Sequence, residues 1–149
     1  MVPVNYVELN APRKENYNFA KVSAILADCG YTTMRLSDDW QGADFLAHHY
    51  SGRALFVQLK SRLMVSRIYS FARTGKTIHI CFPTGDRPRT WYMYAHDALL
   101  SYMPRTEAIG RVAWHSNAGR SRGAPGKRLL AYLDANGRCL GIEGMSLAH

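Results

Sequence analysis

Cysteine is scarce in this chain: three in 149 residues, at Cys29, Cys81 and Cys139, far apart and with no Cys-x-x-Cys pair. That spacing argues against a disulfide framework and against a zinc ribbon. Long apolar runs are missing, and none approaches the ~20 residues that span a bilayer. The first ten residues, Met-Val-Pro-Val-Asn-Tyr-Val-Glu-Leu-Asn, lack the basic start and apolar core of a signal peptide. No basic amphipathic helix stands apart from the rest, so a membrane-surface role drops away. The expectation is a cytoplasmic protein in a reducing compartment, with no membrane partner. There is also no Ser-His-Asp order, glycine-rich phosphate loop or P-loop lysine, which excludes the common triad hydrolases and P-loop enzymes.

Acid is the other shortage. Eleven Asp+Glu face 19 Lys+Arg, for a net charge of +8 with histidines neutral and a pI near 9.7. Fourteen of the cations are arginine, whose planar fork grips phosphate in two places. The excess points to a polyanion, with nucleic acid ahead of an anionic membrane. With 47% hydrophobic and 20% charged residues the balance is globular, not disordered. A chain of this length buries ~70% of its unfolded surface and folds without a staple. No repeat, low-complexity tract or linker interrupts it, so residues 1–149 are expected to form one domain.

Pro12 to Cys29 predicts a helix, stopped by Gly30, with Phe19, Val22, Leu26 and Cys29 as its buried stripe. Glu15 projects from the middle of that stripe, either as a first-turn carboxylate favoured by the helix dipole or as the rim of a site. Tyr31–Leu36 predicts a strand, and Ser37–Gly42 a polar loop. Ala43–Tyr50 and Ala54–Ser61 predict an antiparallel hairpin about a tight Ser51–Gly52 turn. In its second strand Leu55, Val57 and Leu59 face one way, and Phe56, Gln58 and Lys60 the other. Thr77–Phe82 and Thr90–Tyr94 read as neighbouring buried strands. His96–Met103 reads as a short helix begun by Asp97 and ended by Pro104. Gly119–Gly126 reads as a basic loop, and Lys127–Ala135 as a last helix. Little pattern is visible after Arg138.

The chemistry gathers on the hairpin. Its pairing sets Asp44 across from Gln58 or an immediate neighbour, and Gln58 and Lys60 share a face. A carboxylate, an amide oxygen and an ammonium then converge at one end of the sheet. A hard divalent cation takes oxygen ligands of this kind, which Asp44, Gln58 and a nearby carbonyl can supply. An ammonium beside it can orient or deprotonate a water and offset phosphate charge. The plainer readings are a turn-capping Asp44 and solvent-facing Gln58 and Lys60 on a half-buried strand.

Glu15-Asn16-Tyr17-Asn18-Phe19-Ala20, Gly42-Ala43-Asp44-Phe45 and Val57-Gln58-Leu59-Lys60-Ser61-Arg62 together resemble the PD-(D/E)XK nuclease superfamily, which includes restriction endonucleases and archaeal Holliday-junction resolvases. The resemblance covers about a third of the chain. It implies an α/β, restriction-endonuclease-like core with a mixed β-sheet flanked by helices. It further implies that Asp44 and Gln58 bind Mg²⁺, with Mn²⁺ as a substitute, that Lys60 aids the nucleophile, and that Glu15 lends a carboxylate. The activity implied is hydrolysis of nucleic-acid phosphodiester bonds, with double-stranded or branched DNA as the expected partner and a homodimer left open. Two positions depart from the pattern: Gln58 stands where an acid is usual, and Ala43 replaces the proline. Gln58 keeps alive a rival expectation, a non-catalytic nucleic-acid-binding module on a degenerate nuclease fold. A third is a protein-interaction domain with a basic surface.

Histidines carry less. His48 and His49 point to opposite strand faces, His79 reads as a core residue, and His96 reads as helix-start chemistry. His115 follows Trp114 and precedes the basic loop. Arg62, Arg67, Arg73 and Lys76 crowd the stretch after Lys60, and Arg120, Arg122, Lys127 and Arg128 crowd the loop before the last helix. Of these, Arg62, Arg120, Arg122, Lys127 and Arg128 are the expected nucleic-acid contacts. Tyr69, Phe71, Trp91, Tyr92, Tyr94 and Trp114 interleave as stacking candidates, those of Trp91–Tyr94 being better explained as core.

Overall fold

A computed structural model describes residues 2–84, 90–106, 120–121, 127–128, 131–132 and 138–140. Helix α1 (Ala11–Asp28) begins where the Asn10 side chain accepts the Arg13 N–H at 3.0 Å, with Pro12 in its first turn. It ends at Cys29 and Gly30, whose φ of +80° suits glycine. Val22, Leu26 and Cys29 are buried along it and Phe19 partly so, as the stripe predicts. Glu15 is instead exposed, at 68% of its side chain.

Strand β1 (Tyr31–Trp40) runs through the expected Ser37–Gly42 loop and stops only at Gln41 and Gly42. Both turn residues have positive φ, 52° and 86°, the two-residue turn that matches the twist of an antiparallel hairpin. Strand β2 (Ala43–His49) returns beside it. Register shifts between Arg35, opposite Phe45, and Trp40, opposite Ala43, so β1 bulges where it passes Asp44. Residues 50–52 then form a three-residue loop, not a two-residue turn: the His49 N–H reaches the Arg53 carbonyl, and Gly52 has φ +94°.

Strand β3 (Ala54–Leu59) pairs antiparallel with β2, Phe45 opposite Val57. A crossover follows, made of β4 (Met64–Val65), a 3-10 turn at Arg67–Tyr69 and the single-turn helix α2 (Phe71–Thr74). It delivers β5 (Ile78–Thr84) parallel to β3, with Val57 opposite His79. Pro83 is tolerated in β5 because the pairing with β3 has already ended at Leu59 and Cys81. Strand β6 (Thr90–Ala95) pairs antiparallel with β5 and leads into α3 (His96–Thr106), which continues through Pro104. Strand β7 (Arg120–Ser121), inside the expected basic loop, pairs with β4. Strand β8 (Arg138–Leu140), where no pattern was visible, pairs with β6. Lys127, Arg128, Ala131 and Tyr132 are helical; the remainder of the expected last helix and His115 lie outside the described residues.

The main sheet is therefore mixed and six-stranded, in the order β1-β2-β3-β5-β6-β8. The chain is α/β. Side-chain alternation divides the interior as the β3 pattern predicts. Leu55 and Val57 pack with Phe45, Cys81, Met93 and the α1 stripe, while Phe56 joins Ile80, Phe82, Tyr94, Tyr69 and Leu99 on the other face. Burial pushes the Cys81 thiol up, so it is protonated and inert at neutral pH. Tyr69 is itself core, at 4% exposure, which corrects its expected role as a stacking surface.

Two contacts tie the crossover to the sheet, and each carries a prediction. A Cβ on Gly42 would lie 3.3 Å from Tyr69 Cδ1, and its φ already disfavours an L side chain. Gly42→Ala is expected to destabilise the fold by about 1–2 kcal/mol, measured by urea melts. At the start of α3, buried His96 accepts the Ser66 N–H at Nε2, 3.2 Å, and Nδ1 lies 2.8 Å from Asp97 Oδ1. A ring that accepts at Nε2 is neutral and donates from Nδ1. Burial lowers its pKa from 6.5, and the hydrogen bond and charge of Asp97 only partly oppose this. The unfolded state then binds the proton first, so this stability is whole above about 6.5 and is lost as pH falls below it. Thermal melts should drop between pH 7.5 and 5.5 (~1 unit either side of histidine's ordinary pKa), and His96→Gln should flatten that dependence.

Candidate active site

The hairpin register decides where the polar residues meet. The register ends at the Phe45–Val57 pair, and one step beyond it Asp44 and Gln58 come within reach of each other. Gln58 Nε2 donates to Asp44 Oδ2 at 2.8 Å. The Leu59 backbone N–H donates to the same oxygen, also at 2.8 Å. Gln58 is 4% exposed, and its Oε1 is buried without a hydrogen-bond partner among the described residues. An orphaned acceptor of this kind costs about 1–3 kcal/mol.

That orphan bears on whether the site suits a metal ion. The amide donates its NH₂ toward Asp44 and leaves its oxygen unused. A hard cation beside Asp44 would use the oxygen instead, since carboxylate and amide oxygens are the donors that such ions take. Asp44 and Gln58 thus fit a divalent cation in donor type. Among the described residues, however, no group of three or more His, Cys, Asp or Glu side chains is placed to hold a metal. Any ion here would keep several waters, as Mg²⁺ commonly does.

Glu15 approaches from α1. It and Asp44 line one cavity of about 170 Å³, together with Phe19, Arg35, Leu36, Phe45 and Leu59. Arg35, which sequence reasoning overlooked, lies 3.8 Å from Glu15 and sets its guanidinium 4.4 Å from the Phe19 ring centroid. The β1–β2 register was the signal that could have found it, because Arg35 stands opposite Phe45, next to Asp44. The pair is solvent-exposed and contributes at most about 1 kcal/mol.

Lys60 does not line this cavity. Its backbone N–H extends the β3–β5 ladder to the Cys81 carbonyl at 2.8 Å, and its ammonium lies 5.2 Å from the Tyr69 ring centroid. The stem is thereby fixed one step along the face that carries Gln58. Arg62, just past it, is exposed. Arg120 enters the fold beside β4, opposite Val65, while Lys127 and Arg128 are exposed and helical. Arg122 lies outside the described residues. His48 is exposed, and His49 turns its Nδ1 to Ser51 Oγ at 2.7 Å. No helix among the described residues is long and apolar enough to cross a membrane. Comparison with protein-family models, with curated proteins and with solved structures finds no match.

Proposed function

We propose that the chain is a metal-dependent nuclease that hydrolyses nucleic-acid phosphodiester bonds, with double-stranded or branched DNA as substrate. The reading rests on one observation above all: Asp44 and Gln58 meet at a buried sheet end, and the amide oxygen of Gln58 has no partner among the described residues. The order of elements from α1 to β3, on which the resemblance to PD-(D/E)XK nucleases was drawn, is consistent with it. Asp44 and Gln58 would hold Mg²⁺ or Mn²⁺. When bound, such an ion supplies positive charge at the scissile phosphate and a more acidic water. Lys60 stands on the same face to orient that water and to offset charge developing on the phosphate. Glu15 contributes a carboxylate across the cavity from Asp44. A homodimer would present two such sites to two strands.

A second reading has its own support. Asp44 Oδ2 already receives two N–H donors, and Glu15 already faces Arg35. Carboxylates already engaged inside the chain suit a nucleic-acid-binding module that has lost its metal. Incubating the purified protein with mixed DNA substrates separates the two. A nuclease cleaves with Mg²⁺ or Mn²⁺ and stops with chelator; a module binds in a salt-sensitive manner and cleaves under neither condition.

A further inference from the structure

A second cleft opens on the other side of the β1–β2 turn. Gln41, Gly42, Ile68, Tyr69, Arg73 and Thr74 line a cavity of about 320 Å³ between the turn and the crossover. That volume is at the small end of ligand-binding clefts. Arg73 reaches it from α2 and is exposed. The Lys76 ammonium, just outside the cleft, hydrogen-bonds Oε1 of Gln41, which lines it, and lies 4.8 Å from the Phe56 ring centroid. Tyr69, which lines the cleft, is also the ring beneath the Lys60 ammonium. Arg73 thus lines the opening, Lys76 touches it through Gln41 and Lys60 through Tyr69, and among the described residues no Asp or Glu lines it.

The walls are set by packing. Gly42 sits so close to Tyr69 and Thr74 that a Cβ would touch both. Gln41 is fixed by its turn and in turn fixes Lys76. A guanidinium in an acid-free cleft and an ammonium bound to a residue of its rim suit a phosphodiester, whose charged oxygens both can engage.

We propose that this cleft is a phosphate subsite for a nucleic-acid strand, with Arg73 and Lys76 as its contacts. The inference rests on the nuclease reading for its substrate. A strand seated there continues over Lys60 toward Asp44 and Gln58, so the subsite would set which phosphodiester reaches the reacting end.

Fluorescence anisotropy of a labelled DNA duplex, titrated with the whole chain in chelator across a salt series, tests the subsite without any cleavage. The Arg73→Gln/Lys76→Gln double variant should flatten the slope of log affinity against log salt by about two units. Arg73→Gln alone, an exposed change that leaves packing intact, should flatten it by about one. Lys76→Arg, which keeps the charge, should hold the parent slope. Unchanged slopes in the two glutamine variants would overturn the subsite, as would a Lys76→Arg slope equal to that of a Lys76→Gln variant. Cleavage by the parent protein with Mg²⁺ is scored separately, so failure of the subsite and failure of the nuclease reading remain distinct.

Discussion

Lys60→Ala and Asp44→Asn should each lower DNA cleavage by about 10²–10⁴-fold while leaving duplex affinity largely unchanged. The two substitutions remove different things. Lys60 loses an ammonium fixed over Tyr69 on the Gln58 face, and its backbone N–H still bonds the Cys81 carbonyl. Binding survives because the many other cations supply most of the attraction for a polyanion. At Asp44 the variant must be asparagine. Alanine would strip the acceptor from both the Gln58 amide and the Leu59 N–H, at about 1–3 kcal/mol for each orphaned donor, and loss of activity could then reflect loss of fold. Asparagine keeps an oxygen for both donors and removes the charge alone. Single-turnover cleavage and anisotropy on the same preparations give both numbers. Wild-type cleavage in either variant would remove that residue from the site.

The other large effect belongs to Gln58→Glu. In the metal-free protein the substitution replaces an N–H donor facing Asp44 Oδ2 with a second carboxylate at hydrogen-bond distance. Two carboxylates in one buried site repel, and one is driven to take up a proton. The free protein should lose about 2–4 kcal/mol, which lowers its melting temperature by roughly 6–12 °C at ~3 °C per kcal/mol. Mg²⁺ should reverse the loss, since a cation between two carboxylates is better held than one between a carboxylate and an amide. The parent protein should bind Mg²⁺ weakly and respond little. Calorimetry and melts with and without Mg²⁺ read both arms. A variant destabilised equally in both conditions, beside a parent that cleaves nothing, would favour the non-catalytic module.

How much of this was visible in the residues depends on the kind of signal each element carries. Helix α1 was legible because Val22, Leu26 and Cys29 repeat at helical spacing between an Asn-Ala-Pro start and a glycine stop. The β2–β3 hairpin was legible because Leu55, Val57 and Leu59 alternate, and alternation alone set Gln58 and Lys60 on one face opposite Asp44. Ser37–Trp40 failed as a loop because a bulged edge strand needs no buried alternation, and Gln-Gly is a weak turn signal beside Asn-Gly. Pro104 failed as a helix end because its residue type disfavours but does not forbid continuation. At the site, the contact between Asp44 and Gln58 was readable from register. The Arg35 partner of Glu15 follows from how α1 lies against β1, and the cleft around Arg73 arises where the β1–β2 turn lands on the crossover; no local pattern records the latter packing.

Everything proposed for catalysis turns on a cation held by Asp44 and Gln58. Crystals of the protein with a non-cleavable DNA duplex and Mn²⁺, measured at the manganese absorption edge, locate that ion by its anomalous signal. The account predicts a peak within coordination distance of an Asp44 carboxylate oxygen and of Gln58 Oε1, with the amide turned so that its oxygen faces the metal. Bound DNA with no manganese peak at these two side chains, and Gln58 still donating to Asp44, would contradict it.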